Sequence, residues 1–173
     1  MRRRKGGVDS LREIVFGLED SLVSTLGAVT GVAVGSANLQ FVLLSGLVLV
    51  VVEAISMSAG SYLSTKSAYE AEKKKGGAYT PLRASAVMFV FYLLGGCVPL
   101  APYFLFPMSQ ALPIAILCTA VSLFALGFWK GKVVGVPAVR SAFEMLVVSL
   151  VAAGAGYLVG TFVPQFIEMY GAV

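Results

Sequence analysis

The chain alternates between long apolar stretches and short polar connectors. The apolar stretches cover residues 14–34, 39–64, 84–106, 111–129 and 142–163. Each is close to the length, about 20 residues at about 1.5 Å rise, with which an α-helix crosses the hydrocarbon of a bilayer. A helix also satisfies its own backbone polar groups where no water is available. The pattern therefore predicts an all-α integral membrane protein with five transmembrane helices.

The five stretches and their polar flanks predict a single transmembrane domain over residues 1–173. We expect the spans at about residues 12–35, 38–65, 83–107, 110–130 and 139–164. The longest connector, residues 66–82, is short and basic, which leaves no room for a catalytic domain in water. Charged residues make up 13% of the chain, against about 25% in soluble domains. We therefore exclude a cytosolic enzyme, a disordered chain and a secreted disulfide scaffold.

The basic residues predict the orientation of the bundle. All 13 lie before the first span, between the second and third, or between the fourth and fifth. The opposite connectors, GSAN (35–38) and PMSQ (107–110), carry no charge. The positive-inside rule then places the N-terminus in the cytoplasm and the C-terminus outside. The pI of 9.2 indicates contact with the headgroups of the lipid bilayer, and no nucleic acid is expected as a partner.

Two acidic residues, Asp20 and Glu53, lie well inside the first and second spans. A carboxylate at bilayer depth costs about 2.5–3.5 kcal/mol on insertion scales. Because no Lys or Arg lies at comparable depth, a structural salt bridge is excluded for both acids. We therefore expect each of them to serve a task.

Helical geometry places Asp20 on a face of small residues. The residues within about 60° of it on a 3.6-residue helix are Ser24, Gly27, Gly31 and Gly35. Small residues at this spacing let another helix approach closely. We expect this face to pack against protein rather than lipid, and we interpret its glycines as dimer-forming.

The second span carries a similar face around its acid. Its members are Gly46, Glu53, Met57, Gly60 and Ser64. Glu53 and Met57 lie one turn apart, and Met57 is expected at the same depth as Asp20. Oxygen ligands alone suit Mg²⁺ and Ca²⁺, whereas an added thioether shifts preference toward first-row transition ions. The candidate metal ligands are therefore Asp20, Met57 and Glu53.

The same carboxyls give a route for protons. The chain contains no histidine, so proton binding and release near neutral pH must use other groups. Burial disfavours the charged form of a carboxyl. We therefore expect Asp20 and Glu53 to be at least partly protonated when empty and to release protons when a divalent cation binds.

Four segments together resemble the vacuolar iron transporter family. They are GLEDSLVSTLGAVTGVA (17–33), EAISMSAGSYLSTKSAYE (53–70), PLAP (99–102) and RSAFEMLVVSLVAAGAGYLVG (140–160). The resemblance implies a five-span homodimer that exports Fe²⁺ and Mn²⁺ from the cytoplasm in exchange for protons. It also implies a metal path between the subunits, lined by the first two helices. No cofactor is implied, because the metal is the transported substrate.

The resemblance assigns residues within this path. It gives metal-binding roles to Asp20 and Met57. Many members have Glu where this chain has Ser61, so Glu53 either supplies the second carboxylate deeper in the membrane or takes protons only.

The connector between the second and third spans departs from the family. Better-known members insert there a helical domain that collects metal, whereas this chain has only a short connector. Candidate acids at the cytoplasmic entrance are Glu70, Glu72 and Glu144. Arg140, one turn from Glu144, supports an ordinary surface ion pair as the alternative.

The third span contains Pro99 and Pro102, which remove two backbone donors. We expect a kink or opening near Gly95 and Gly96, serving either as a hinge or as a packing feature.

Three functional classes stay open from the sequence alone. They are a proton-coupled metal transporter, a passive divalent cation channel and a membrane adaptor that transports nothing. The compact size and the lack of a presequence favour a prokaryotic cell membrane.

Overall fold

A computed structural model describes residues 3–71 and 80–170 of the protein. This part of the chain forms five α-helices: α1 (Arg3–Ser36), α2 (Leu39–Ala71), α3 (Pro81–Leu105), α4 (Met108–Val134) and α5 (Ala138–Tyr170). All five are long and apolar enough to cross a membrane, which confirms the predicted all-α membrane fold. α1 begins earlier and α2 ends later than hydropathy indicates, because polar residues can continue a helix beyond the hydrocarbon.

α1 is the central helix of the bundle and packs against all four others. Leu26 and Val29 on α1 are fully buried in a cluster with residues of the other four helices, such as Val50, Leu100 and Ala153. α5 is the most peripheral helix, since 11% of its apolar 18-residue segment is buried, compared with 39% of the corresponding segments of α1 and α3. The remaining apolar surface has no cover within the chain, as expected for helices in lipid.

The glycines of α1 pack against α5 of the same chain. Gly27 lies against Ala152, and Gly31 and Gly35 lie against Gly156 and Gly160 at the same spacing. The pairing keeps one register over two turns, so α1 and α5 run side by side in the same direction. This face therefore contacts protein, as expected. Our interpretation of these glycines as dimer-forming was wrong, because α5 already covers them.

α3 continues as one helix through both of its prolines, which are buried. Its start is fixed by Thr80, whose hydroxyl accepts the Arg83 backbone N–H at 3.3 Å. Gly95 contacts the Leu18 backbone and Ser21, and a side chain at Gly96 would collide with Val50. The glycines that precede Pro99 and Pro102 therefore bring α3 close to α1 and α2.

Candidate metal path between α1 and α2

Polar side chains of α1 and α2 meet first near the end of the bundle that carries the basic residues. The Ser61 hydroxyl donates a hydrogen bond of 3.0 Å to the Glu13 carboxylate. Glu13 is only 5% exposed and Ser61 is 9% exposed. A buried acid of α1 thus lies opposite Ser61 of α2. We refer to this contact as the outer rung.

A second contact lies about eleven residues farther along α1, roughly 16 Å deeper. The Ser24 hydroxyl donates 3.1 Å to Oε2 of Glu53 on α2. The Tyr92 hydroxyl of α3 donates to the same oxygen and lies 2.9 Å from the Ser24 hydroxyl. Three helices therefore meet at one carboxylate oxygen. We refer to Ser24, Glu53 and Tyr92 as the inner rung.

Asp20 lies one turn from the inner rung on α1. It is half-buried, and Glu53 and the Tyr92 hydroxyl are its main electrostatic neighbours. Two carboxyls at this depth repel each other when both are ionised. A proton or a divalent cation shared between Asp20 and Glu53 removes that repulsion, which is the chemistry that a metal–proton exchanger requires.

Met57 is half-buried on α2, one turn from Glu53 and one turn from Ser61. On α2, a carboxyl, a thioether and a hydroxyl thus follow one another at four-residue intervals. We refer to the two rungs together with Asp20 and Met57 as the polar row. Within residues 3–71 and 80–170, no three His, Cys, Asp or Glu side chains are grouped to hold a metal ion. A metal ion would therefore need the thioether, hydroxyl or backbone donors, or ligands from a second copy.

Glu19 and Asp20 are adjacent in sequence but face different surroundings. The charge of Lys130 on α4 acts on Glu19, whereas Glu53 on α2 and Tyr92 on α3 act on Asp20. Of the two acids, only Asp20 therefore belongs to the polar row between α1 and α2.

The candidate entrance acids take part in exposed ion pairs. Glu70 lies 3.9 Å from Lys66, and Glu144 lies 3.0 Å from Arg140, in each case one turn along the same helix. Glu72 lies outside the described residues. Exposed pairs of this kind contribute little to stability.

Tyr92 and Glu13 belong to the row but were missing from the sequence-based set. Tyr92 stands in the apolar run FVFYLLGG (89–96), where a tyrosine gives no signal of function. Glu13 directly precedes the apolar stretch 14–34, and hydropathy does not place it between two helices. The Gly95–Gly96 pair was the available signal, because it marks where α3 approaches α1 and α2.

Comparison with known proteins identifies the family. The model of the VIT family matches residues 11–78 and 74–161, in two segments that meet in the connector between α2 and α3. Vacuolar iron transporter homolog 3 of Arabidopsis thaliana is 32% identical over 150 residues, covering 79% of this chain and 74% of the relative. Vacuolar iron transporter 1 of the same plant is 24% identical over 208 residues, covering 85% of this chain and 83% of the relative.

An uncharacterised protein of Methanocaldococcus jannaschii is 28% identical over 166 residues, covering 85% of this chain and 86% of the relative. The 208-residue alignment with the plant transporter exceeds the 173 residues of this chain, so that relative contains segments that are absent here. The two plant relatives are named as transporters and not as enzymes, in agreement with the expectation from the sequence. The match over most of the chain shows that this protein belongs to the VIT family.

Proposed function

We propose that this protein exports a divalent transition-metal ion, Fe²⁺ or Mn²⁺, from the cytoplasm in exchange for protons. The observation that carries the proposal is the polar row between α1 and α2, in which Asp20 and Glu53 are electrostatic neighbours within apolar helices. A membrane protein without a need for these carboxyls would gain stability by losing them.

The class of ion is argued from the ligands and from the relatives. The row offers carboxylate and hydroxyl oxygens together with the Met57 thioether, and a soft sulfur donor favours transition metals over Mg²⁺ or Ca²⁺. The plant relatives are named vacuolar iron transporters. Mn²⁺ resembles Fe²⁺ in charge and ligand preference, so we include it as a substrate.

Exchange for protons follows from the repulsion between the two carboxyls. In the empty site, a proton on Asp20 or Glu53 removes the repulsion, and a divalent cation does so when it displaces that proton. Metal and protons then occupy the same groups in turn, which couples their movement in opposite directions.

We place the contact with a second subunit on the outer face of α2. The exposed small residues Ser56, Gly60 and Ser64 recur there one turn apart, and a side chain at Gly60 would meet no atom within 4 Å. Small residues at this spacing are typical of helix packing in membranes. The centre of this face is about 40° around the helix from the midpoint between Glu53 and Met57. A homodimer joined there would enclose the polar row at its interface.

Mn²⁺ uptake into proteoliposomes tests the proposed function. We expect the wild-type protein to accumulate Mn²⁺ faster when the lumen is acidic, because outgoing protons drive the exchange. Asp20→Ala should remove this uptake, since the site then loses one of its two carboxyls.

The alternatives give different results in the same assay. Uptake that is lost in Asp20→Ala but indifferent to the pH gradient would contradict exchange and indicate a passive channel. Absence of both Mn²⁺ and Fe²⁺ uptake by wild-type protein that is correctly folded would contradict transport altogether and favour the adaptor.

A further inference from the structure

Tyr92 is the residue of α3 at which the polar row joins the rest of the bundle. It is fully buried, and α1 holds its backbone in place. The Ser21 hydroxyl donates a 2.5 Å hydrogen bond to the Tyr92 carbonyl. Gly95, less than one turn further on, packs against the Leu18 backbone. The Tyr92 hydroxyl is therefore presented to Glu53 from a fixed position.

The hydrogen bonds to Glu53 fill one of its two oxygens. A carboxylate oxygen offers about two lone-pair sites, and Oε2 accepts from both Ser24 and Tyr92. A cation that uses both oxygens of Glu53 has to displace at least one of these hydroxyl protons. The hydroxyl of Tyr92 and a metal ion thus compete for one atom.

We propose that Tyr92 is a positioning residue that lowers the metal affinity of the path by holding Glu53 when no ion is bound. The inference rests on the proposed function and adds a control of affinity to it. A transporter must bind its ion weakly enough to release it. Recapture of Glu53 by the Tyr92 hydroxyl provides a driving force for that release.

The test compares Mn²⁺ binding and Mn²⁺ uptake by the full-length protein and Tyr92→Phe. We expect the Kd for Mn²⁺ to fall about 3- to 10-fold in Tyr92→Phe, the range of one net hydrogen bond. The half-saturating Mn²⁺ concentration for uptake should fall as well, while the maximal rate falls because release is slower. A purely structural role would reduce the rate without tightening binding.

Tyr103→Phe is the matched control. Tyr103 lies on the same helix and is 1% exposed, and its hydroxyl has no hydrogen-bond partner among the described residues. Removing that hydroxyl should leave the Kd and the uptake rate unchanged. In the background of Glu53→Gln, Tyr92→Phe should no longer tighten binding, because the contested carboxylate is absent.

Three results would overturn the proposal in distinguishable ways. An unchanged Kd in Tyr92→Phe would contradict competition between the Tyr92 hydroxyl and the metal ion for Glu53. A higher Kd would show that the hydroxyl favours metal binding. Either result leaves the proposed function intact if wild-type protein binds Mn²⁺ and Asp20→Ala does not. Wild-type protein that binds neither Mn²⁺ nor Fe²⁺ would overturn the proposed function and the role of Tyr92 together.

Discussion

Among the residues that the structure describes, hydroxyl groups rather than cations contact the two glutamates of the polar row. Ser61 donates to Glu13, and both Ser24 and Tyr92 donate to Glu53. A hydroxyl compensates part of the loss of hydration but brings no countercharge. The carboxyl therefore keeps its attraction for a proton or a metal ion, which an internal salt bridge would have quenched.

Replacement of Ser61 tests how much the outer rung contributes to stability. Ser61→Ala leaves the buried Glu13 without its hydroxyl donor, and we expect a loss of about 1–3 kcal/mol. The measurement is thermal unfolding of the purified protein in detergent. Ser58→Ala is the control, since the Ser58 hydroxyl bonds only the Ile55 carbonyl of its own helix in the structure. Equal unfolding temperatures for both variants would contradict a stabilising hydrogen bond between Ser61 and the buried Glu13.

At the scale of helices, the parallel contact between α1 and α5 depends on the absence of side chains. Gly156 and Gly160 approach the carbonyl oxygens of Gly27 and Gly31 so closely that no Cβ fits between them. Dispersion between closely packed backbones is the main attraction available to helices in lipid. α5, which buries little else, is therefore held to α1 by this contact and by its packing on α4.

Gly156→Ala should loosen this contact. The added Cβ would collide with the Gly27 carbonyl, and overpacking of this kind costs about 1–3 kcal/mol. Gly154→Ala is matched in helix and in chemistry, but its Cβ would meet nothing within 4 Å. We expect a lower unfolding temperature for Gly156→Ala alone. A loss of similar size in Gly154→Ala would show that the register between α1 and α5 is wrong.

The helices were predictable from sequence, whereas their partners were only partly so. Hydropathy finds each span because lipid requires a long apolar helix. The small-residue face of Gly27, Gly31 and Gly35 shows that a helix packs there, but spacing on one helix does not identify its neighbour. The neighbour is Gly156 and its helix, more than a hundred residues away in sequence.

The candidate site was predictable only for the charged residues that lie within an apolar stretch. Asp20 and Glu53 stand out because an acid within an apolar run is rare, and the structure makes them electrostatic neighbours. Tyr92 carries no charge and reads as one more apolar residue. Glu13 reads as a surface acid until α2 covers it. The placement of Tyr92 and Glu13 depends on tertiary packing, which periodicity along one helix does not reveal.

At the scale of the whole molecule, the bundle surrounds one central helix and leaves one polar row between α1 and α2. α5 packs on the glycines of α1, and α3 contributes Tyr92 to the inner rung. The row begins near the basic end of the bundle with Glu13 and reaches Glu53 deep in the membrane. In the proposed function, this arrangement would provide a series of ligands along one direction.

The central claim is that Asp20, as a member of this row, binds the transported metal ion. The most direct measurement compares Mn²⁺ uptake into proteoliposomes by Asp20→Asn and Glu19→Gln. Both variants remove one carboxylate charge from adjacent, half-buried positions, but the charge of Lys130 on α4 acts on Glu19, whereas Glu53 and Tyr92 act on Asp20. We predict that uptake falls at least about 10-fold in Asp20→Asn, as for other losses of metal-site groups, and stays near the wild-type rate in Glu19→Gln. Equal uptake by the two variants would contradict the assignment of the path to the row between α1 and α2.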